Sequence, residues 1–294
     1  MNKMWRNYSF LLITKQLIDT FRQSISFMVG SGFLKGYYWF AIRNYVSIFG
    51  NRSRLADRHD SNLTFQLRED GFMELAKLSD KTVSDLVKYF LESQQEQFAD
   101  LKCFFEKKRS QNFVRSEGID IVLNDKLCKS VLSELRIMPI VTEFLGLSKS
   151  EILISAKVDA LFRLDGERKL KNNYDDALEF HRDVDSFRFV KAFVYLVDID
   201  KGYGEHEVCI RSHKSLPLNL RTIQRHQYSR LKESLPHFEL KSIVGKAGYS
   251  WIEDTTTFHR GTVPRIGDRL MLSLSFNDKK SATHVYDEGY HPFN

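Results

Sequence analysis

Arg269-Leu270-Met271-Leu272-Ser273-Leu274-Ser275-Phe276 is the stretch that decides the fold. Leu270, Leu272, Leu274 and Phe276 alternate with Arg269, Met271, Ser273 and Ser275, and a period of two gives a strand one apolar face and one unlike it. Working back along the chain, the same texture of Ile, Val, Phe and Tyr between Gly and Asp clusters marks 151–164, 177–184, 187–198, 206–210 and 248–253. Several short strands with no intervening helices predict an antiparallel sandwich or jelly roll.

Ahead of residue 150 the period changes. Val83, Leu86, Val87, Phe90 and Leu91 recur on one helix face, Leu127, Val131, Leu132 and Leu135 on another, and Pro139 and Gly146 bracket a last helix. The region 60–147 therefore reads as mostly helical and 150–280 as the β core. Within that core, 211–246 reads as an inserted lid with some helical character, Leu220, Ile223, Tyr228, Leu231 and Leu235 lying among Arg and Gln.

Length and composition fit one large core. The 294 residues are 42% apolar and 28% charged, with 5 Pro and 15 Gly, which excludes disordered, collagenous and low-complexity classes. Cys103, Cys128 and Cys209 are scattered and form no CxxC pair, so they build neither a disulfide framework nor a structural zinc site; a reducing, cytoplasmic setting is expected.

The net charge of +6 is unevenly placed. Residues 1–58 hold nine Lys and Arg against two Asp, and residues 211–246 hold eight against two Glu, so the rest of the chain is acidic. Two basic segments on an acidic body suit an anionic small molecule or a membrane surface rather than nucleic acid. The basic, aromatic segment 1–58 reads either as an extension packed on the domain 59–294 or as a peripheral membrane contact. Ser24 to Ile42, broken by Lys35 and several Ser and Gly, is too interrupted for a spanning helix.

Chemistry-bearing residues fall in the β half. His181 and Asp183, two apart in an apparent strand, project from one face and can converge on one ion. A second segment runs Trp251-Ile252-Glu253-Asp254-Thr255-Thr256-Thr257-Phe258-His259-Arg260-Gly261, followed by Gly267-Asp268-Arg269. Two His and one carboxylate on one face of an iron leave open positions, the arrangement of non-haem Fe(II) oxygenases. A buried guanidinium nearby grips a dicarboxylate through a bidentate fork, and Arg269 is placed for that. Arg265, in the preceding loop, is its rival. Lys191 shares a strand face with Phe189, Phe193 and Tyr195, so it either meets a cosubstrate or substrate carboxylate or reaches the barrel rim.

These segments resemble the phytanoyl-CoA dioxygenase type of Fe(II)/2-oxoglutarate oxygenases. The resemblance runs through Phe180-His181-Arg182-Asp183, Phe189 to Asp200 with Gly204, Ser212-His213-Lys214 and Gly248 to Phe276, with a weaker opening motif in Asp70-Gly71-Phe72. It implies a mainly β fold with α, a double-stranded β-helix (jelly roll) core buttressed by N-terminal helices. It also implies His181, Asp183 and His259 as metal ligands and catalytic centre, Arg269 as the cosubstrate-binding residue, beside which the strand-face reading sets Lys191 as a second candidate, and Fe(II), 2-oxoglutarate, O2 and a small-molecule substrate as partners. Asp183, where halogenating relatives carry Gly or Ala, argues against halogenation. Ile210-Arg211-Ser212-His213 departs from the Pro-Gly-Ser-His turn usual there, which leaves the substrate open, and His213 reads as structural. Two other classes remain: an inactive jelly-roll binding protein, and a cupin-like metal enzyme that does not use 2-oxoglutarate.

Overall fold

The computed structural model describes residues 63–94, 96–111, 119–120, 125–163, 179–183, 188–214, 216–217, 220, 225–235 and 237–279. The basic segment 1–58 lies outside them. Among the described residues, helices α1 (Phe65–Asp70), α2 (Asp80–Glu92), α3 (Leu101–Ser110), α4 (Asp125–Glu134), α5 (Ile137–Leu145) and α6 (Tyr228–Ser234) accompany nine strands: β1 (Phe72–Glu74), β2 (Ile119–Asp120), β3 (Ile152–Leu161), β4 (Phe189–Tyr195), β5 (His206–Ile210), β6 (Glu239–Ile243), β7 (Ser250–Glu253), β8 (His259–Gly261) and β9 (Arg269–Asp278). They form a six-stranded sheet, β1-β7-β4-β9-β3-β2, and a three-stranded sheet, β6-β5-β8. Every pairing is antiparallel. This is the jelly-roll core with N-terminal helices that the strand spacing predicts.

Strand β9 anchors the large sheet, paired along its whole length with β3 from Ile152↔Asp278 to Leu161↔Arg269 and along β4 from Phe189↔Asn277 to Tyr195↔Met271. Leu270, Leu272, Leu274 and Phe276 are fully buried in one cluster with Phe90 of α2, Phe104 of α3 and Val141 of α5. Each such side chain removed from water contributes roughly 1.5–3 kcal/mol, so this interface holds the helices on the sheet. The opposite face carries Arg269, Ser273 and Ser275 and looks across to the small sheet. There Phe72, Phe193, Tyr195 and Trp251 meet Val208, Ile210 and Ile243.

Local chemistry sets the helix ends. Ser79 caps α2 by accepting from the Thr82 N–H, and Asp100 caps α3 by accepting from Cys103 N–H. Helix α5 begins two residues before Pro139, which the first turn tolerates because its N–H groups have no intrahelical acceptor, and ends at Gly146 with φ 62°.

Two expectations about elements change. Of segment 177–184, the described residues 179–183 make isolated bridges, Phe180↔His226 and His181↔His259, rather than a strand. The stretch 211–246 is divided: Glu239–Ile243 is strand β6, paired with β5, while Leu216, Leu220, Leu231 and Leu235 pack with Phe180, Cys209 and Phe258 behind the small sheet. No helix among the described residues is long and apolar enough to cross a membrane.

Candidate metal centre

His259 opens β8, and the bridge between His181 and His259, closed by two N–H···O bonds of 3.0 Å, sets the two histidines side by side. Asp183 N–H donates to Thr255 O at 2.8 Å, which ties the residue to the connection between β7 and β8. One ligand atom from each of His181, Asp183 and His259 lies within 4.8 Å of the others. His181 Nε2 is 3.8 Å from Asp183 Oδ1, and His259 Nε2 is 3.5 Å from Asp183 Oδ2.

The imidazoles are fixed for ligation. His181 Nδ1 is 2.8 Å from Glu179 O and His259 Nδ1 is 2.9 Å from Thr257 O, in both cases the carbonyl two residues upstream. A carbonyl only accepts, so each Nδ1 carries the proton and each Nε2 presents its lone pair toward Asp183. This donor set of two neutral imidazoles and a carboxylate suits a divalent transition metal. Burial, with the neighbouring His259, holds His181 well below the ordinary imidazole range. For His259 burial opposes the charge, yet the carboxylates of Glu253 and Asp183 outweigh it and raise the pKa. Burial likewise opposes ionisation of Asp183, but Lys191 and His259 hold its carboxyl well below the usual range.

Arg269 is buried and donates from Nη1 to Gly204 O at 2.7 Å. Gly261, two residues after His259 on the same strand face, makes room for it: a Cβ there would stand 3.0 Å from Nη1 and 3.3 Å from Nη2. The guanidinium is thus seated one strand repeat, roughly 6–7 Å of rise, from a triad histidine. The rival Arg265 is exposed.

Lys191 does not reach the rim. Its Nζ sits 2.8 Å from Asp183 Oδ2, so the anion that it meets in this structure is the triad carboxylate itself. Arg182, on the opposite face, is buried and donates from Nε to Thr256 O at 2.7 Å. His213 braces the α1–β1 turn, with Nε2 3.0 Å from Arg68 O, and Arg211 adopts φ 68° while its Nε donates to Asp70 Oδ1 at 2.9 Å. A left-handed backbone at position 211 explains why Gly suits this turn.

Sequence reasoning passed over two buried polar residues beside the triad, His206 and Glu253. Their only signal is alternation: His206 falls in register with inward Val208 and Ile210, and Glu253 with inward Trp251.

No protein-family model and no curated protein matches the sequence. Solved structures do resemble the fold. EctD from S. alaskensis, solved with 2-oxoglutarate and 5-hydroxyectoine, superposes with a TM-score of 0.51 at 17% identity over 74% of this chain and 76% of that one. The two chains share a fold. The epimerase SnoN, solved with Fe3+, alpha ketoglutarate and nogalamycin RO, aligns at 16% identity over 76% of this chain and 87% of that one, with a TM-score of 0.49.

Proposed function

We propose that this chain is an Fe(II)/2-oxoglutarate-dependent oxygenase of the phytanoyl-CoA dioxygenase type that hydroxylates a small anionic metabolite. The observation that carries the reading is the convergence of His181, Asp183 and His259, with both imidazoles turned to present Nε2. The EctD fold likeness is compatible with it, since that protein was solved with 2-oxoglutarate.

The three side chains would hold the iron, which with 2-oxoglutarate and O2 supplies the oxidation of a C–H bond coupled to decarboxylation of 2-oxoglutarate to succinate. Arg269, fixed by Gly204 O and by the space at Gly261, grips the distal carboxylate of the cosubstrate. Phe193, Tyr195 and Trp251 are buried between the two sheets and would keep water from the cosubstrate. Lys191 neutralises Asp183, so that the triad carboxylate does not repel an anion entering the site. Arg225, whose charge adds to the lowering of His181 behind burial and His259, is the cation of the basic segment that would meet an anionic group on the substrate.

Anaerobically purified protein given Fe(II), 2-oxoglutarate and then O2 is expected to release succinate, and a panel of anionic metabolites to accelerate it. Arg225→Glu is expected to raise the KM of the accelerating metabolite while leaving basal succinate release in place. Succinate at background level in the wild type would reject the oxygenase reading.

The Lys191–Asp183 ion pair favours a second reading, a jelly-roll binding protein in which the lysine ammonium already neutralises the carboxylate of the triad. Metal uptake separates the two.

A further inference from the structure

Glu253 ends β7 with no exposed surface, and its carboxylate joins two histidines. Oε2 accepts from His206 Nε2 at 2.9 Å and more weakly from Trp251 Nε1 at 3.4 Å, while Oε1 lies 3.4 Å from His259 Nδ1. His206, itself buried, stacks nearly parallel to His259, with ring centroids 5.4 Å apart and planes 17° from parallel. The His259 ring therefore stands between two carboxylates, Asp183 toward Nε2 and Glu253 toward Nδ1. Its Nδ1–H is directed to Thr257 O, and Glu253 Oε1, 3.4 Å from Nδ1, is a buried charge beside the ring that accepts no hydrogen bond among the described residues.

An ionised carboxylate is costly to bury unless opposite charge lies near. Its surroundings supply one hydrogen-bonded imidazole, His206, and a ring, His259, whose far nitrogen faces the triad. A carboxylate behind a ligating histidine fixes its tautomer and strengthens its donation to the metal. We infer that Glu253, clamped by His206, is a positioning residue for His259: its charge stands behind the ring, whose tautomer Thr257 O sets, and counters the charge of a dication held at Nε2. This rests on the metal reading of the triad and adds to it two residues outside the three triad ligands.

The test is an anaerobic Co(II) titration of the full-length chain and its variants, followed by the Fe(III)/Fe(II) midpoint potential of the iron-loaded protein. Glu253→Gln keeps the shape and an acceptor oxygen but removes the charge. It is expected to weaken Co(II) binding by about 10-fold or more, the usual range for outer partners of ligating histidines, and to shift the midpoint potential upward, with the folded secondary structure unchanged. A residue that merely fills the core would move neither reading. Co(II) affinity and potential equal to wild type in Glu253→Gln overturn the inference while leaving the metal site intact. Wild-type protein that takes up no Co(II) overturns the metal reading and this inference with it. If Glu253→Gln does not fold, His206→Gln, which loosens the clamp and keeps the carboxylate, is read in the same titration; a change of less than about twofold there counts against the inference.

Discussion

Arg269 is a cation held inside the barrel, with a carbonyl at 2.7 Å and a glycine that leaves it room. On the proposed reading, replacing it with Ala would remove one charge-assisted pair with the cosubstrate, about 1.5–3 kcal/mol, and is expected to raise the 2-oxoglutarate KM by at least about tenfold. Iron uptake is expected to survive, because Arg269 is not among the triad residues. An unchanged KM would move the cosubstrate role elsewhere, and the exposed Arg265 and the Asp183-bound Lys191 are both poorer candidates. At this scale the triad and Arg269 were legible because each sits in a short motif. Glu253 and His206 were not, since an inward polar residue in an apolar strand acquires meaning only when its partner, 47 residues away, comes into view.

Among the elements, β9 declared itself through strict alternation, and the structure puts its apolar face on the helices as that pattern requires. Strands β1, β2 and β6 did not. The first two are three and two residues long, too short to show a period, and β6 is an edge strand of its sheet carrying Glu239 and Lys241, the charged pattern by which edges avoid further pairing. Glu134 of α4 ties the helical layer to the start of α2, accepting from Ser79 N–H at 2.7 Å and Thr82 Oγ1 at 2.5 Å. Partial burial opposes its ionisation, but these hydrogen bonds hold its pKa below 4.5. A lowered carboxylate stabilises the fold above the unfolded value and loses that contribution as pH falls through the folded one. Glu134→Gln is therefore expected to lower the Tm at pH 7 and to converge with wild type as the pH drops below 4.5. A constant Tm gap down to pH 3 would show that shape rather than charge matters at this contact.

For the whole molecule, metal and fold are linked. The triad spans two separated segments, His181 with Asp183 and then His259, so an ion bound there cross-links the chain only in its folded form. At a hundredfold excess over Kd the linkage adds about 2.7 kcal/mol, which at about 2–4 °C per kcal/mol for a domain of this size is a rise of roughly 5–10 °C in Tm. Co(II) is expected to give that rise in wild type and none in Asp183→Ala. Equal shifts in both would place the metal somewhere else.

The most direct measurement is anaerobic equilibrium dialysis with Fe(II) and radiolabelled 2-oxoglutarate. The predicted result is one iron and one 2-oxoglutarate retained per chain, the second depending on the first and lost in Arg269→Ala while the iron stays. Iron retained without 2-oxoglutarate would contradict the oxygenase reading in favour of a metal enzyme of another kind, and retention of neither would leave His181, Asp183 and His259 as part of a binding protein whose carboxylate is already neutralised by Lys191.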